Sequence, residues 1–136
     1  IFYNMKTIFV NGCFDILHPG HIELFKYARS LGDELIVGID SDERVKHSKG
    51  TTRPIYNSNN RKFILESIKY IDRVVVFNDD DELIKLIEHC SPYVMVVGSD
   101  WKDKKVIGSE YAKEVKFFER IQEFSTTKTI ENIINR

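Results

Sequence analysis

The chain is predicted to be a small doubly wound, Rossmann-like α/β domain: a parallel sheet of about five strands with helices on both faces. Three observations predict it. Short runs rich in Val, Ile and Phe recur along the 136 residues, amphipathic stretches of helical spacing separate them, and each run gives way to a polar segment. Near-continuously apolar strands joined by helices imply a parallel sheet, because the crossover helices bury both of its sides.

Thr7-Ile8-Phe9-Val10 is the first strand and ends at Asn11-Gly12. A helix follows, with Pro19 near its start, Ile22, Phe25 and Ala28 at helical spacing, and Gly32 just past its end. Leu35 to Ile39 repeats the strand pattern before Asp40-Ser41-Asp42. Lys46 to Asn60 reads as a polar, turn-rich loop that leads to a helix capped by Asn57 or Ser58 and carrying Phe63, Ile64, Ile68 and Ile71 on its apolar side. Val74 to Phe77 is the third strand. Asp79-Asp80-Asp81 then opens a helix through Leu83, Ile84, Leu86 and Ile87, and Val94 to Val97 gives a fourth strand ending in Gly98-Ser99-Asp100. Val115 to Phe118 is a shorter fifth strand, and Ser125-Thr126-Thr127 caps a last helix through Ile130, Ile133 and Ile134.

Residues 5–136 are expected to form a single domain, with Ile1 to Asn4 read as a remnant ahead of Met5. The charge is nearly balanced, 20 Lys+Arg against 21 Asp+Glu, which argues against a duplex-binding or polybasic membrane-surface protein. No apolar run reaches the roughly 20 residues that a bilayer span needs. Cys13 and Cys90 are isolated thiols suited to a reducing compartment, so the expected location is the cytoplasm.

In a doubly wound sheet ligands bind beyond the carboxyl ends of the strands, so the informative residues are those that follow strands. The segment from Asn11 to His21 joins a strand to a helix and carries His18 and His21 three residues apart, on one face of a helical turn. Gly20 permits close approach to the backbone, and the free N–H groups of the helix start favour an anion. A turn-capping role for His18 accounts for the same residues.

Gly12-x-Phe14-Asp15-x-Leu17-His18-x-Gly20-His21 resembles the HxGH signature of the cytidylyltransferase-like nucleotidyltransferases, and Ser125-Thr126-Thr127 resembles their second, STT signature. The likeness runs from about Thr7 to Ile134. It implies an enzyme that moves a nucleoside monophosphate from a triphosphate to a phosphorylated small molecule and releases pyrophosphate without a covalent enzyme intermediate. Both reactants are anions, so such catalysis is mainly alignment and charge stabilisation.

Carried onto this chain, the resemblance makes His18, His21 and Lys46 catalytic. It places the nucleotide against Gly12, Cys13, Phe14, Asp15, Gly20, Gly98, Asp100, Trp101, Arg120, Ser125, Thr126 and Thr127. The acceptor falls to Lys46, Lys49, Arg53 and Arg61. Several of these have plain structural readings beside the functional one: a cap for Asp15, surface solvation for Lys46 and Lys49, a surface ion pair for Arg61, core packing for Trp101 and an N-cap for Ser125. The implied cofactor is Mg2+, bound largely through the phosphates, with Asp15 as its protein ligand. The implied partners are ATP or CTP and a phosphorylated sugar or polyol, with no nucleic acid and no membrane, in a homodimer.

Within the family the likeness divides. Asn11 to Asp15, Lys49-Gly50-x-x-Arg53-Pro54 and Ile107-Gly108-Ser109-Glu110 resemble adenylyltransferase domains that make ADP-heptose from heptose 1-phosphate. Arg61-Lys62-x-Ile64-Leu65-Glu66, Asp100-Trp101 and Arg120 resemble the glycerol-3-phosphate cytidylyltransferases. The loops expected at the acceptor are the heptose-like ones, which favours a sugar 1-phosphate adenylyltransferase. An inactive nucleotide-binding module is the alternative of another class. Glu123 departs from both groups, which carry Gly at that position.

Overall fold

The apolar runs become five strands, with four α-helices between them and a fifth after the last strand, in a computed structural model that describes residues 5–121 and 124–136. Residues 1–4, read as a remnant, and the departure at Glu123 lie outside the described residues. In chain order the elements are β1 (Thr7–Gly12), α1 (Pro19–Ser30), β2 (Glu34–Asp40), α2 (Asp42–Lys49), α3 (Ser58–Glu66), β3 (Arg73–Phe77), α4 (Asp80–Cys90), β4 (Val94–Gly98), β5 (Glu114–Phe118) and α5 (Thr126–Ile134). Short 3-10 turns cover Ser99–Trp101 and Ser109–Tyr111.

All strand pairs are parallel and the order is β3-β2-β1-β4-β5, with Val10 opposite Val37 and Phe9 opposite Met95. Successive side chains on a strand point to opposite faces. Ile8 and Val10 therefore join one core layer with Phe25 and Ala28 of α1 and Leu65 of α3, while Phe9 joins the other with Leu83 and Ile87 of α4. Each fully buried side chain of this kind contributes about 1.5–3 kcal/mol, so the central strand anchors both layers. The first crossover lies on one face and α4 on the other. The topology thus switches at β1 and β4, and a crevice opens beyond their carboxyl ends.

Two local expectations are corrected. The segment after β2 is a helix rather than a loop: Ser41 Oγ accepts from Arg44 N at 3.2 Å, acids occupy its first turn, and Lys46, His47 and Lys49 occupy its last. In α3, which Asn57 caps, the inward positions are Arg61 and Leu65, one helical turn apart. Phe63 is 72% exposed, since it lies across the helix from them. A buried arginine within the apolar stripe is what misdirects a reading from hydrophobic spacing. Among the described residues no helix is long and apolar enough to cross a membrane.

Candidate active site

The loop after β1 turns into α1 through the two histidines themselves. His18 is the N-cap, its Nδ1 accepting from Gly20 N at 3.1 Å, and His21 returns the favour by accepting from His18 N at 3.1 Å through its own Nδ1. This is a capping box built from imidazoles rather than from Ser and Glu. Because both Nδ1 atoms accept, the hydrogen-bond network assigns each proton to Nε2, and both rings turn a donor away from the helix. The rings stack 3.8 Å apart, and the Phe14 ring meets His21 edge-on at 5.5 Å. A Cβ on Gly20 would stand 2.9 Å from the His18 ring, so a side chain there would displace the imidazole.

Burial pushes His21 down to about 4, and the neighbouring His18, Lys49 and Arg120 act in the same direction. His18 is lowered as well, by burial first and then by Arg120. Both imidazoles are consequently neutral N–H donors at neutral pH, set among fixed positive charges.

The start of α5 meets this pair from the other side. Ser125 Oγ accepts from Lys128 N at 3.3 Å, while Thr126 Oγ1 donates to Ile16 O at 2.9 Å and so ties α5 to the loop ahead of α1. Between the two helix starts lies a cleft of about 370 Å³. His18, Gly20 and His21 line it on one side, Ser125, Thr126 and Thr127 on the other, and Lys49, Gly98, Asp100 and Arg120 complete its polar wall. Leu24, Phe118 and Ile121 supply the apolar part. A polar extension runs past Asp100 and Arg120 to Ser99, Glu119 and Lys128. A smaller cavity of about 150 Å³ adjoins the cleft through His21, Lys49 and Thr126 and is otherwise lined by Cys13, Phe14, Asp15 and Arg53. Two helix N-termini, two neutral donors and two cations, with the Asp100 carboxylate beside them, surround one space, a chemistry suited to a polyanion.

Residues 9–133, nearly all of the described chain, match the family described as cytidylyltransferase-like. The chain belongs to the cytidylyltransferase-like family. It is 47% identical over 131 residues to the bifunctional protein HldE of Helicobacter pylori strain Shi470, and 46% identical over 130 residues to that of Aliarcobacter butzleri strain RM4018. The matched stretch is 96% of this chain and 28% of the Helicobacter protein, so the chain spans under a third of the length of these curated relatives. Among solved structures, the lipopolysaccharide core biosynthesis protein of Thermoplasma volcanium GSS1 superposes with a TM-score of 0.67 at 27% identity, covering 86% of this chain and 97% of that one. The pantoate-beta-alanine ligase of Francisella tularensis shares the fold, with a TM-score of 0.61 at 16% identity over 98% of this chain and 71% of its own.

Within this family frame the structure gathers most of the residues singled out from sequence and reassigns several. Gly20, Gly98, Asp100, Arg120, Ser125, Thr126 and Thr127 line the cleft with both histidines. Cys13, Phe14 and Arg53 line the smaller cavity instead. Gly12 lies under the Phe14 ring, where a Cβ would meet it at 3.0 Å, and lines neither cavity.

Four further residues named from sequence do not line the cleft. Lys46 is exposed on α2 and lines none of these cavities, whereas Lys49, one turn further on, lines two. Trp101 is 47% exposed and lies outside both the cleft lining and the core, with Lys104 Nζ 5.6 Å from its ring centre. Asp15 does not fit a metal ligand. Its buried carboxylate accepts from Ile55 N at 2.6 Å, from Tyr56 N at 3.0 Å and from Arg53 Nε at 3.4 Å, which leaves it the cap of the 51–57 loop. No group of three or more metal-ligating side chains forms among the described residues. Arg61 is 1% exposed and donates to Tyr56 O, Cys13 O, Asp40 O and Asp42 Oδ1, so its fork is committed to the protein rather than free for an acceptor phosphate.

Leu24, Phe118 and Ile121 were legible as apolar residues but not as walls of the cleft. What could have flagged the last two is their place beside Arg120 at the carboxyl end of β5.

Proposed function

We propose that this domain transfers a nucleoside monophosphate from a nucleoside triphosphate to a phosphorylated sugar, with adenylylation of a heptose 1-phosphate-like acceptor as the leading case. The observation that carries the reading is the convergence of His18, His21, Lys49, Arg120 and the start of α5 on one cleft. In this reading the triphosphate lies between the two helix starts and the acceptor phosphate enters the smaller cavity beside Arg53 and Lys49. An acceptor phosphate oxygen forms a bond to the α-phosphorus as the bond from that phosphorus to the bridging oxygen breaks, and pyrophosphate leaves.

Neither histidine needs to exchange a proton. The acceptor phosphate is already a nucleophile, and neutral Nε2–H groups held by the cap donate to oxygens whose charge grows in the transition state. Lys49 borders both cavities and can follow charge as it moves between reactants. Mg2+ belongs to this reading as a companion of the triphosphate oxygens, where it neutralises charge. The homodimer and the cytoplasmic location belong to the same reading, and sedimentation of the purified chain checks the former.

A second reading, cytidylylation of glycerol 3-phosphate, is favoured by Asp100 and Arg120, both of which line the cleft and belong to the stretches that resemble the glycerol-3-phosphate cytidylyltransferases. A matrix of ATP, CTP, UTP and GTP against heptose 1-phosphate, glycerol 3-phosphate, riboflavin phosphate and phosphopantetheine, with products identified by mass, separates the cases. The leading reading expects an ADP-sugar and pyrophosphate. CDP-glycerol as the sole product would select the second. Triphosphate binding without any product would make the domain a binding module.

A further inference from the structure

The buried Arg61 lies outside the cleft yet bonds to four segments around the smaller cavity. Its Nη1 donates to Cys13 O at 2.9 Å and to Asp40 O at 2.8 Å, its Nε to Tyr56 O at 2.9 Å and its Nη2 to Asp42 Oδ1 at 2.8 Å. Those acceptors belong to the loop after β1, the end of β2, the loop that carries Arg53, and the first residue of α2. A guanidinium is suited to this, because its planar fork makes several bonds at fixed mutual angles.

The loop after β1 requires such restraint. Phe14 and Ile16 both have φ near 50°, a left-handed conformation that is strained for aromatic and β-branched residues. Strain of about 1–3 kcal/mol per residue persists where the surroundings over-determine the backbone. Here the determinants are Arg61 on Cys13, the Asp15 carboxylate on residues 53–56, and Thr126 on Ile16. Phe14 leads on to His21 through its edge contact, and α2 ends at Lys49.

We propose that Arg61 is a positioning residue that couples the two sides of the site, fixing the Cys13–Ile16 loop beneath the histidines relative to α2 with Lys49 and to the loop with Arg53. Its kinetic consequence rests on the nucleotidyl-transfer reading; its structural consequence does not. Misalignment of reacting groups by about an ångström costs on the order of 10²-fold in rate, whereas a triphosphate held at the two helix starts is spared.

The test uses Arg61→Lys, which keeps the charge and loses the fork, and Asp42→Ala, which removes one partly exposed partner and leaves three bonds. For Arg61→Lys the expected result is a fall in kcat of about 10- to 100-fold with affinity for a non-hydrolysable ATP analogue within about threefold of wild type. Asp42→Ala falls between the two. An activity-independent readout accompanies it: in native protein treated with iodoacetamide, Cys13 alkylates about tenfold faster in Arg61→Lys, while Cys90, at the end of α4, keeps its wild-type rate. Unchanged kcat and Cys13 rate in both variants would overturn the proposal. So would equal acceleration of both thiols with a lowered melting temperature, which marks general destabilisation. Should the wild-type domain transfer no nucleotide to any acceptor, the functional reading fails, and the ratio of thiol rates still decides the role of Arg61.

Discussion

Two helix starts face each other across the cleft, and they are built differently. The start of α1 stands on the core: Phe25 and Ala28 bury its inner face, Pro19 sets its first turn, and the histidine capping box closes it. The start of α5 stands on the start of α1. Its helix has no buried residue, Ile133 and Ile134 are 66% and 73% exposed, and the Thr126 hydroxyl on Ile16 O joins it to the opposite wall. One wall is fixed by core packing and the other by a polar tie and the stacking of Phe124 on His18, so a polyanion bridging the two contributes more to ordering the second than the first.

The largest effect should come from the fixed wall. In the proposed reading, replacing His21 by Ala removes a donor to the transition state and is expected to lower kcat by about 10²–10³-fold in a pyrophosphate-release assay, with the domain still folded by circular dichroism. Unaltered turnover would remove the histidine from the mechanism. Next is Lys49, which borders both cavities: Lys49→Ala is expected to reduce kcat/KM by about tenfold or more, the scale of a lost charge-assisted bond, whereas Lys46→Ala stays near wild type. Equal losses would show that the exposure of Lys46 on α2 does not describe its working position.

The polar tie predicts a smaller change. Thr126→Val keeps the shape and deletes the bond to Ile16, and kcat/KM for the triphosphate should drop by about fivefold, corresponding to roughly 1 kcal/mol, with little change in melting temperature. A separate effect, on stability rather than on turnover, is a pH dependence. His21 titrates near 4 when folded, below its ordinary 6.5, so in acid the unfolded chain takes up the proton first. The contribution of neutral His21 to stability is full above about pH 6.5 and is lost as pH falls toward 4. Thermal melts at pH 7 and pH 5 should therefore show a larger loss for wild type than for His21→Gln.

The same contrast explains what could be read from sequence. The sheet was legible because its strands alternate faces around β1, where Phe9 goes one way and Ile8 and Val10 the other. The helix starts at His18 and Ser125 were legible from their capping residues, and the resemblance to the HxGH and STT signatures, not spacing, singled out their side chains. The surroundings of the smaller cavity were not legible in that way. Arg61, Asp15 and Lys46 are charged residues whose meaning depends on what packs over them: two are buried and fully engaged, while the third turns outward from the same helix that brings Lys49 in. Hydrophobic spacing along α3 failed at Phe63 for the related reason that an arginine occupies the inward position. Bonds reaching 48 residues back, such as that from Arg61 to Cys13, leave no local pattern.

The central claim is that both helix starts hold one polyphosphate. Titrating the 15N-labelled domain with a non-hydrolysable triphosphate analogue and following the amide signals of Gly20, His21, Thr126 and Thr127 tests it most directly. The account predicts that all four shift together with a single dissociation constant. Movement at one helix start alone, or two separate constants, would contradict it.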